Sequence, residues 1–223
     1  MKTKKIAIDG PAGAGKSSIA KEVAKRLGFI YVDTGAMYRS VGLMVLNAGK
    51  NPKVKEDVLS IIDDVNIDIK YFDGVQNIFL NGENVSELIR TPEVSVAASD
   101  VAVIGEVRKK LVELQRSLAE RDNVIMDGRD IGTRVLPDAD IKIFLTASAE
   151  ERAMRRLKEL EEKNISCNFD EVLKDIKYRD KNDSEREIDP LKPTEESVIF
   201  DTTGYNLSES VERMIELLKE KTI

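Results

Sequence analysis

Apolar runs and amphipathic segments alternate along most of this chain. Residues 6–8 form a short apolar run, and Ile19, Val23 and Leu27 follow it at three- and four-residue spacing. This order predicts a strand followed by a helix, and Gly28 is placed to end the helix. Four more apolar runs have the length of buried strands: residues 29–32, 124–126, 141–145 and 198–200. A chain that opens β-α-β implies parallel strands with right-handed crossovers, so we expect an α/β fold whose core is a five-stranded, parallel, doubly wound sheet.

A different pattern interrupts this core between residues 62 and 85. Apolar Val65, Ile67 and Ile69 alternate with polar neighbours, and the dipeptides Asp73-Gly74 and Asn81-Gly82 punctuate the run. Alternation with such dipeptides is typical of β-hairpins. We therefore predict a small antiparallel sheet in an insertion of about residues 40–106, within a single domain over residues 1–223.

Capping residues mark three later helix starts. Thr91 precedes Pro92, Ser148 is followed three residues later by Glu151, and Asn168 precedes an apolar helical pattern. Thr, Ser and Asn side chains accept hydrogen bonds from first-turn amides, and the Ser-x-x-Glu spacing predicts a capping box. We expect helices to begin at all three places.

Composition removes several kinds of chemistry. The 223 residues include one cysteine, Cys167, and no histidine. Intramolecular disulfides, zinc sites built from cysteines, and catalysis that needs an imidazole are therefore excluded. Any reaction has to use Lys, Arg, Asp, Glu, Ser, Thr or Tyr.

The charge and hydropathy of the chain suggest which partners to expect. A net charge of −6 does not favour general binding of nucleic-acid polymers, which needs a basic face. The apolar stretch before Asp9 is too short for a secretion signal, and no run of 18 apolar residues follows. We expect a cytoplasmic protein that acts as a monomer on small molecules, without a membrane or a nucleic-acid polymer as partner.

The clearest motif lies between the first strand and the first helix. The sequence GPAGAGKS over residues 10–17 matches G-x-x-x-x-G-K-[ST]. Amides of a glycine loop and the positive end of a helix surround nucleotide phosphates. We expect ATP here, with Lys16 at its β- and γ-phosphates and Ser17 as a ligand of Mg²⁺. The predicted cofactor-binding residues are Gly10, Pro11, Ala12, Gly13, Ala14, Gly15, Lys16, Ser17 and Ser18.

Other nucleotide-binding classes fit this motif less well. Asp33, at the end of the second strand, suits the ribose-binding acid of a dinucleotide site, but Lys16-Ser17 and the four residues between Gly10 and Gly15 argue against that class. A GTPase needs an Asn-Lys-x-Asp stretch, and residues 180–183 have a different order. A small-molecule kinase fits the chain length best. Whether Asp9 and Asp127 help to hold Mg²⁺ through water is left open.

Arginines indicate the acceptor class. Arg39 follows the second predicted strand and Arg129 the third, where sites of α/β proteins form. Five more arginines come later: Arg152, Arg155, Arg156, Arg179 and Arg186. An acceptor phosphate, with a second pKa of about 6, needs no general base but does need positive charge, and the guanidinium fork suits phosphate oxygens. The pattern therefore favours a nucleoside monophosphate acceptor.

Several longer stretches carry a resemblance to a known family. They are IDGPAGAGKSS (8–18), VDTGAMYR (32–39), AASDVA (97–102), DGRDIGT (127–133), KIFLTASAEERAMRR (142–156) and RDKNDSER (179–186). The first is shared by many P-loop proteins, whereas the others together are specific. On these stretches the chain resembles the bacterial cytidylate kinases over nearly its whole length.

The resemblance implies a reaction and a set of site residues. The reaction is phosphorylation of CMP, and of dCMP, by ATP with Mg²⁺, with residues 40–106 as the monophosphate-binding region and residues 152–168 as a lid. The implied catalytic residues are Lys16, Arg129, Arg152 and Arg156. The implied acceptor contacts are Arg39 and Arg129 to phosphate, Ser99, Arg108 and Asp130 to cytosine, Thr34, Arg179 and Asp183 to the sugar, and Arg186 to sugar, base or phosphate.

The residues leave other interpretations open. The acceptor is UMP, AMP or a small metabolite in one alternative, and in another the chain is a nucleotide switch that signals without useful turnover. Arg129 and Asp130 also fit a surface ion pair, and the charges around Asp180 and Asp183 fit a structural network. Thr34 stands where some relatives have serine, so discrimination between ribose and deoxyribose is left open.

Overall fold

The structure is a computed structural model that describes residues 3–120, 122–162 and 164–221. In chain order the strands are β1 (Lys5–Asp9), β2 (Ile30–Asp33), β3 (Ile67–Phe72), β4 (Val75–Leu80), β5 (Glu83–Asn84), β6 (Val124–Gly128), β7 (Ile141–Thr146) and β8 (Val198–Asp201). The helices are α1 (Lys16–Leu27), α2 (Thr34–Asn47), α3 (Lys55–Ile62), α4 (Pro92–Val101), α5 (Gly105–Leu118), α6 (Ala149–Glu162), α7 (Phe169–Glu185) and α8 (Leu207–Glu220). Shorter helical turns lie at Leu88–Arg90 and Ile131–Val135.

The chain divides into two compact units. The first comprises Met1–Tyr31 and Asp122–Ile223, and the second comprises Val32–Arg121. The boundary falls within β2, so the α/β core belongs mainly to the first unit.

A five-stranded sheet forms that core, in the order β2-β6-β1-β7-β8. Strand β1 pairs in parallel with both β6 and β7, and β7 pairs in parallel with β8. Asp9 at the end of β1 lies opposite Gly128 of β6 and Phe144 of β7. The predicted parallel α/β core is confirmed, and the segments that follow these strands start from one edge of the sheet.

Burial explains why the first β-α unit forms as its pattern predicts. Ile6 and Ile8 of β1 are fully buried, and Ile19 and Val23 of α1 pack into the same cluster. Burial of one such side chain contributes about 1.5–3 kcal/mol. Gly28 ends α1 with a left-handed φ of 69°, as glycine does at many helix ends.

The second unit contains the predicted antiparallel sheet, in the order β3-β4-β5. Ile67 pairs with Leu80 and Phe72 with Val75, so two residues join β3 to β4. These are Asp73 and Gly74, with φ of 50° and 75°, the left-handed conformation that tight hairpins require.

Two of the three predicted caps form completely. The Thr91 hydroxyl accepts from the Val94 amide at 3.2 Å, and Asn168 and Glu171 form a capping box. Ser148 accepts from the Glu151 amide at 3.2 Å, but the Glu151 carboxylate accepts from Gly204 and Arg155 instead of closing the predicted box. A distant contact, from Gly204, and a contact one turn along the same helix, from Arg155, thus outweigh the capping signal there. Among the described residues, no helix has the length and apolar character needed to cross a bilayer.

Candidate active site

Three glycines give the loop after β1 its shape. Gly10, Gly13 and Gly15 have φ of 151°, 72° and 90°, values that residues with a side chain rarely adopt. A Cβ atom on Gly10 would lie 1.9 Å from the carbonyl oxygen of Leu145. The first position of the loop therefore requires glycine, because a side chain there would clash with Leu145 and would also strain the backbone.

Side-chain donors from Lys16, within the loop, and from Arg152 and Thr202, outside it, hold its carbonyl groups. Lys16 Nζ donates to the Pro11 oxygen at 2.8 Å, Arg152 Nη1 to the Ala12 oxygen at 3.0 Å, and Thr202 Oγ1 to the Ala14 oxygen at 3.4 Å. No peptide bond among the described residues is cis, and a trans peptide points its N–H away from its C=O. The next amides, those of residues 12, 13 and 15, are therefore directed away from these donors.

Lys16 carries a charge that burial makes costly. Its side chain is buried, and burial lowers its pKa well below the ordinary value, with Arg129 as a second cause. The carboxylates of Asp127 and Asp183 oppose this shift. Because an anion favours a charged ammonium, a bound phosphate would relieve the unfavourable position of Lys16.

Ser17 and Asp127 offer a hydroxyl and a carboxylate, the kinds of oxygen ligand that Mg²⁺ binds. Ser17 Oγ donates to Asp127 Oδ2 at 2.8 Å, and the Tyr31 hydroxyl donates to Asp127 Oδ1 at 2.9 Å. No group of three or more potential metal-ligating His, Cys, Asp or Glu side chains occurs in the described part of the chain. Mg²⁺ on nucleotides commonly uses only one or two protein ligands besides water and phosphate oxygens, so this donor set fits Mg²⁺.

Asp9 joins β1 to the turn that follows β6. Its two carboxylate oxygens accept from the amides of Ile131 and Gly132 at 2.7 and 2.8 Å. Burial raises the pKa of Asp9 to about 6, although the two amide hydrogen bonds oppose the rise. One buried carboxylate therefore holds the first amides of the turn after Arg129 and Asp130.

Arg129 and Asp183 form a partly buried ion pair. Arg129 Nε donates to Asp183 Oδ2 at 2.6 Å. Burial raises the pKa of a carboxyl group, but Arg129 and Arg179 outweigh it and lower the pKa of Asp183. Burial likewise disfavours charge on Arg129, and Asp183 outweighs that effect, so the pKa of Arg129 is raised. Both groups remain charged.

A second charge pair lies next to the first. Asp130 Oδ1 is 3.5 Å from Arg186 Nη2, and both residues are buried. Arg186 Nε also donates to the Asp189 carbonyl oxygen at 2.7 Å. The first unit thus brings together five of the predicted acceptor residues: Arg129, Asp130, Arg179, Asp183 and Arg186.

The arginines of α6 have different surroundings. Arg152 is buried and donates to Asp180 through two nitrogens, at 3.0 and 2.7 Å. Arg155 donates to Thr202 Oγ1 at 3.0 Å, whereas Arg156 pairs with Glu159 one turn along the same helix. Residues 152–162 and 164–168 of the predicted lid are helix and connecting chain, and Lys163 lies outside the described residues.

The second unit holds the remaining predicted acceptor residues. Thr34 begins α2, and Arg39 Nη2 donates to Asp33 Oδ2 at 2.7 Å. Ser99 on α4 is buried, and its hydroxyl has no hydrogen-bond partner among the described residues. Arg108 on α5 is buried with its guanidinium 5.8 Å from the centre of the Tyr38 ring.

The sequence did not mark every residue that shapes the loop. Asp180 orients Arg152, and Thr202 contacts both Ala14 and Arg155. Thr202 directly follows β8, and the rule that sites form past the carboxyl ends of strands would have found it. No local signal identifies Asp180 as the partner of Arg152.

The glycine loop between β1 and α1 of a parallel sheet, with Lys16 inside it, is the phosphate-binding arrangement of the P-loop kinases. The family model described as "Cytidylate kinase" matches residues 6–220. The chain belongs to the cytidylate kinase family.

Relatives agree over nearly their full length. The chain is 52% identical to the cytidylate kinase of Caldicellulosiruptor saccharolyticus over 97% of this chain and 96% of that one. It is 46% identical to the cytidylate kinase of Bacillus cereus, over 96% and 95%. A crystal structure of an uncharacterized protein from Eubacterium ventriosum has a TM-score of 0.55 at 14% identity, covering 98% of this chain and 99% of that one. This last likeness concerns the fold alone.

Proposed function

We propose that this chain transfers the γ-phosphoryl group of ATP to CMP, giving ADP and CDP. Membership of the cytidylate kinase family supports this reaction. The structural observation that supports it most is the loop of residues 10–17, whose carbonyl groups are held by Lys16, Arg152 and Thr202. Amides directed away from such donors, at the start of a helix, suit the phosphates of a nucleotide.

The reaction fits a chain without histidine. The phosphate of a nucleoside monophosphate has a second pKa of about 6 and is mostly ionised at pH 7, so no general base is required. The protein has to align two anionic groups and stabilise the charge that develops between them. We propose that Lys16 stabilises the negative charge on the transferred phosphoryl group, and that Arg129, Arg152 and Arg156 contribute to this stabilisation.

In the first unit, arginines that pair with carboxylates would bind the substrate. Arg129 would hold the acceptor phosphate, and Asp130 would accept from the cytosine amine. Arg179 and Asp183 would contact the sugar, and Arg186 the sugar, base or phosphate. The pairs Arg129–Asp183 and Arg186–Asp130 support this proposal, because each keeps a guanidinium paired and charged until a substrate oxygen replaces or joins the carboxylate.

In the second unit, the proposed contacts suit the edge of cytosine. The ring presents acceptors at N3 and O2, which match the donors of Ser99 and Arg108. Uracil carries a proton at N3 and would leave buried donors facing a donor, which is costly. The buried Ser99 hydroxyl, unpartnered among the residues described, supports this assignment. Arg39 would contact the phosphate and Thr34 the sugar.

Mg²⁺ and the remaining details belong to the same proposal. Ser17 and Asp127 would hold Mg²⁺, which supplies positive charge to the β- and γ-phosphates when bound. We further propose that dCMP is an acceptor, that residues 40–106 form the monophosphate-binding region, and that residues 152–168 act as a lid. We also propose that the protein acts as a monomer in the cytoplasm, where ATP and CMP are supplied.

A panel of acceptors tests this function. ADP release from ATP and Mg²⁺ is measured by a coupled assay with CMP, dCMP, UMP, AMP or no acceptor. We expect CMP to exceed UMP and AMP by about 10²-fold or more in kcat/KM, and chelation of Mg²⁺ to abolish turnover. Fast release with UMP or AMP instead would identify another acceptor. Release that does not depend on any acceptor would contradict the proposal and favour a nucleotide switch.

A further inference from the structure

Two arginines of the second unit converge on one carboxylate oxygen. Asp33 Oδ2 lies 2.7 Å from Arg39 Nη2 and 3.2 Å from Arg90 Nη2. The other oxygen, Oδ1, accepts from the Ala36 amide at 3.0 Å and so caps α2. Arg39 was expected at a phosphate from the sequence, whereas no motif in the sequence singles out Arg90.

The backbone on both sides of Arg90 is held in place. Arg90 ends the turn Leu88–Arg90, in which Ile89 is fully buried. The next residue, Thr91, caps α4 by accepting from the Val94 amide at 3.2 Å. The base of the Arg90 side chain is therefore anchored between a core residue and a helix cap, so its approach to Asp33 does not depend on a loose loop.

Asp33 is also held on its other side. Its amide donates to Gln76 Oε1 at 2.9 Å, and Gln76 Nε2 donates to the Asp33 carbonyl oxygen at 3.3 Å. The Arg39 guanidinium packs against the first turn of α2, since a Cβ atom on Gly35 would lie 3.1 Å from Arg39 Nη1. Both guanidinium groups thus approach the amino end of α2, which carries partial positive charge.

Two guanidinium groups on one carboxylate oxygen suit a ligand with more oxygens. Each guanidinium is a planar fork that pairs best with two acceptor oxygens, and the two forks meet at the same oxygen of Asp33. The Arg39 and Arg90 side chains are 16% and 35% exposed, so a ligand can reach them. A phosphate monoester has enough oxygens to engage both forks.

We propose that Arg90 is a further acceptor-binding residue, which holds the phosphate of the monophosphate substrate together with Arg39. This inference rests on the proposed function and deepens it. Asp33 keeps the two forks side by side before the substrate arrives, which reduces the ordering that binding has to supply. The ligand class is a nucleoside monophosphate carried as a dianion.

Cytidine, which lacks the phosphate, separates this role from a structural one. We would measure KM for CMP, KM for ATP and the inhibition constant of cytidine against CMP, in the natural protein and in Arg90→Ala. We expect KM for CMP to rise about 10–100-fold, as for loss of a hydrogen-bonded charge, with KM for ATP and the cytidine constant within about threefold. Arg90→Lys keeps the charge without the fork, and we expect it to recover part of the affinity.

Arg116→Ala is the matched control, because Arg116 is an exposed arginine of the same unit on α5. It should leave all three constants unchanged. If Arg90→Ala weakens CMP and cytidine by the same factor, or leaves KM for CMP unchanged, the inference is wrong. If the natural protein releases no ADP in response to CMP, the proposed function fails instead, whatever Arg90 does.

Discussion

The nucleotide loop and the arginine pairs are built in different ways. The loop of residues 10–17 depends on backbone conformation at three glycines and on carbonyl groups that accept from the Lys16 and Arg152 side chains. The arginine pairs depend on side chains far apart in sequence, such as Arg129 with Asp183 and Arg152 with Asp180. The loop is therefore sensitive to an added side-chain atom, above all at Gly10, whereas the pairs are sensitive to a change of charge.

Gly10→Ala tests the steric side of this comparison and should have the largest effect. Its Cβ would lie 1.9 Å from the Leu145 oxygen, in the backbone of β7, and the residue has a φ of 151°. We expect the free energy of unfolding to fall by about 3–5 kcal/mol, from overpacking and backbone strain together. Denaturant unfolding followed by circular dichroism measures this loss.

Gly49→Ala is the control for Gly10→Ala. Gly49 has a φ of 68°, but a Cβ atom there meets nothing within 4 Å. It should cost only the conformational part, about 1–2 kcal/mol. Equal losses in the two variants would mean that the contact with Leu145 does not matter, and that the loop is less constrained than the comparison states.

Lys16→Met should separate activity from stability within the loop. The methionine keeps the apolar stem but removes the ammonium, whose buried position lowers its pKa. We expect kcat/KM to fall about 10²–10³-fold, as for loss of one preorganised charge or donor, and the melting temperature to stay the same or rise. A variant with normal turnover would contradict the role of Lys16, and a large loss of stability would contradict the cost assigned to its burial.

The difference between a loop formed by neighbouring residues and pairs formed by distant side chains also explains how much of the structure could be predicted from the sequence. The loop is a local pattern between a strand and a helix, so its residues and its place at the sheet edge follow from spacing alone. The strands and the hairpin at Asp73-Gly74 are local signals too, and the structure confirms them. Local patterns suffice where the physical cause lies within one turn or one strand.

The contacts between distant segments could not be predicted. Asp180 orients Arg152 from another helix, and Arg90 reaches Asp33 across 57 positions of the chain. At Ser148 the local signal predicts a capping box that does not close, and one reason is that the amide of Gly204, 53 positions away, donates to the Glu151 carboxylate. Such pairs depend on which segments the fold brings together, and a single sequence does not contain that information.

Asp9→Asn probes a carboxylate that joins the strand before the loop to the turn after Asp130. Burial raises the pKa of Asp9 from 3.8 to about 6, so the folded state binds this proton more tightly than the unfolded state. The stability that this group contributes is therefore complete below about pH 4 and is lost as the pH rises to about 6. Asparagine does not titrate.

We therefore expect the stability of the natural protein, relative to Asp9→Asn, to fall by about 2–3 kcal/mol between pH 4 and pH 7. Denaturant unfolding at a series of pH values measures the difference. Asp138→Asn removes an exposed carboxylate and controls for the change in net charge. Parallel curves for the natural protein and Asp9→Asn would show that Asp9 does not titrate in this range and would contradict the raised pKa.

Arg129→Ala tests the charge side of the comparison and should have the smallest effect of the four. Loss of a charged donor at the acceptor should raise KM for CMP about 10–100-fold, while KM for ATP stays within about threefold. Because Asp183 would lose its ion-pair partner, denaturant unfolding of Arg129→Ala is measured beside the two constants to separate lost binding from lost stability. Arg134→Ala, at an exposed arginine of the neighbouring turn, should change neither constant. Equal effects of Arg129→Ala on KM for CMP and on KM for ATP would contradict the place given to Arg129 at the acceptor.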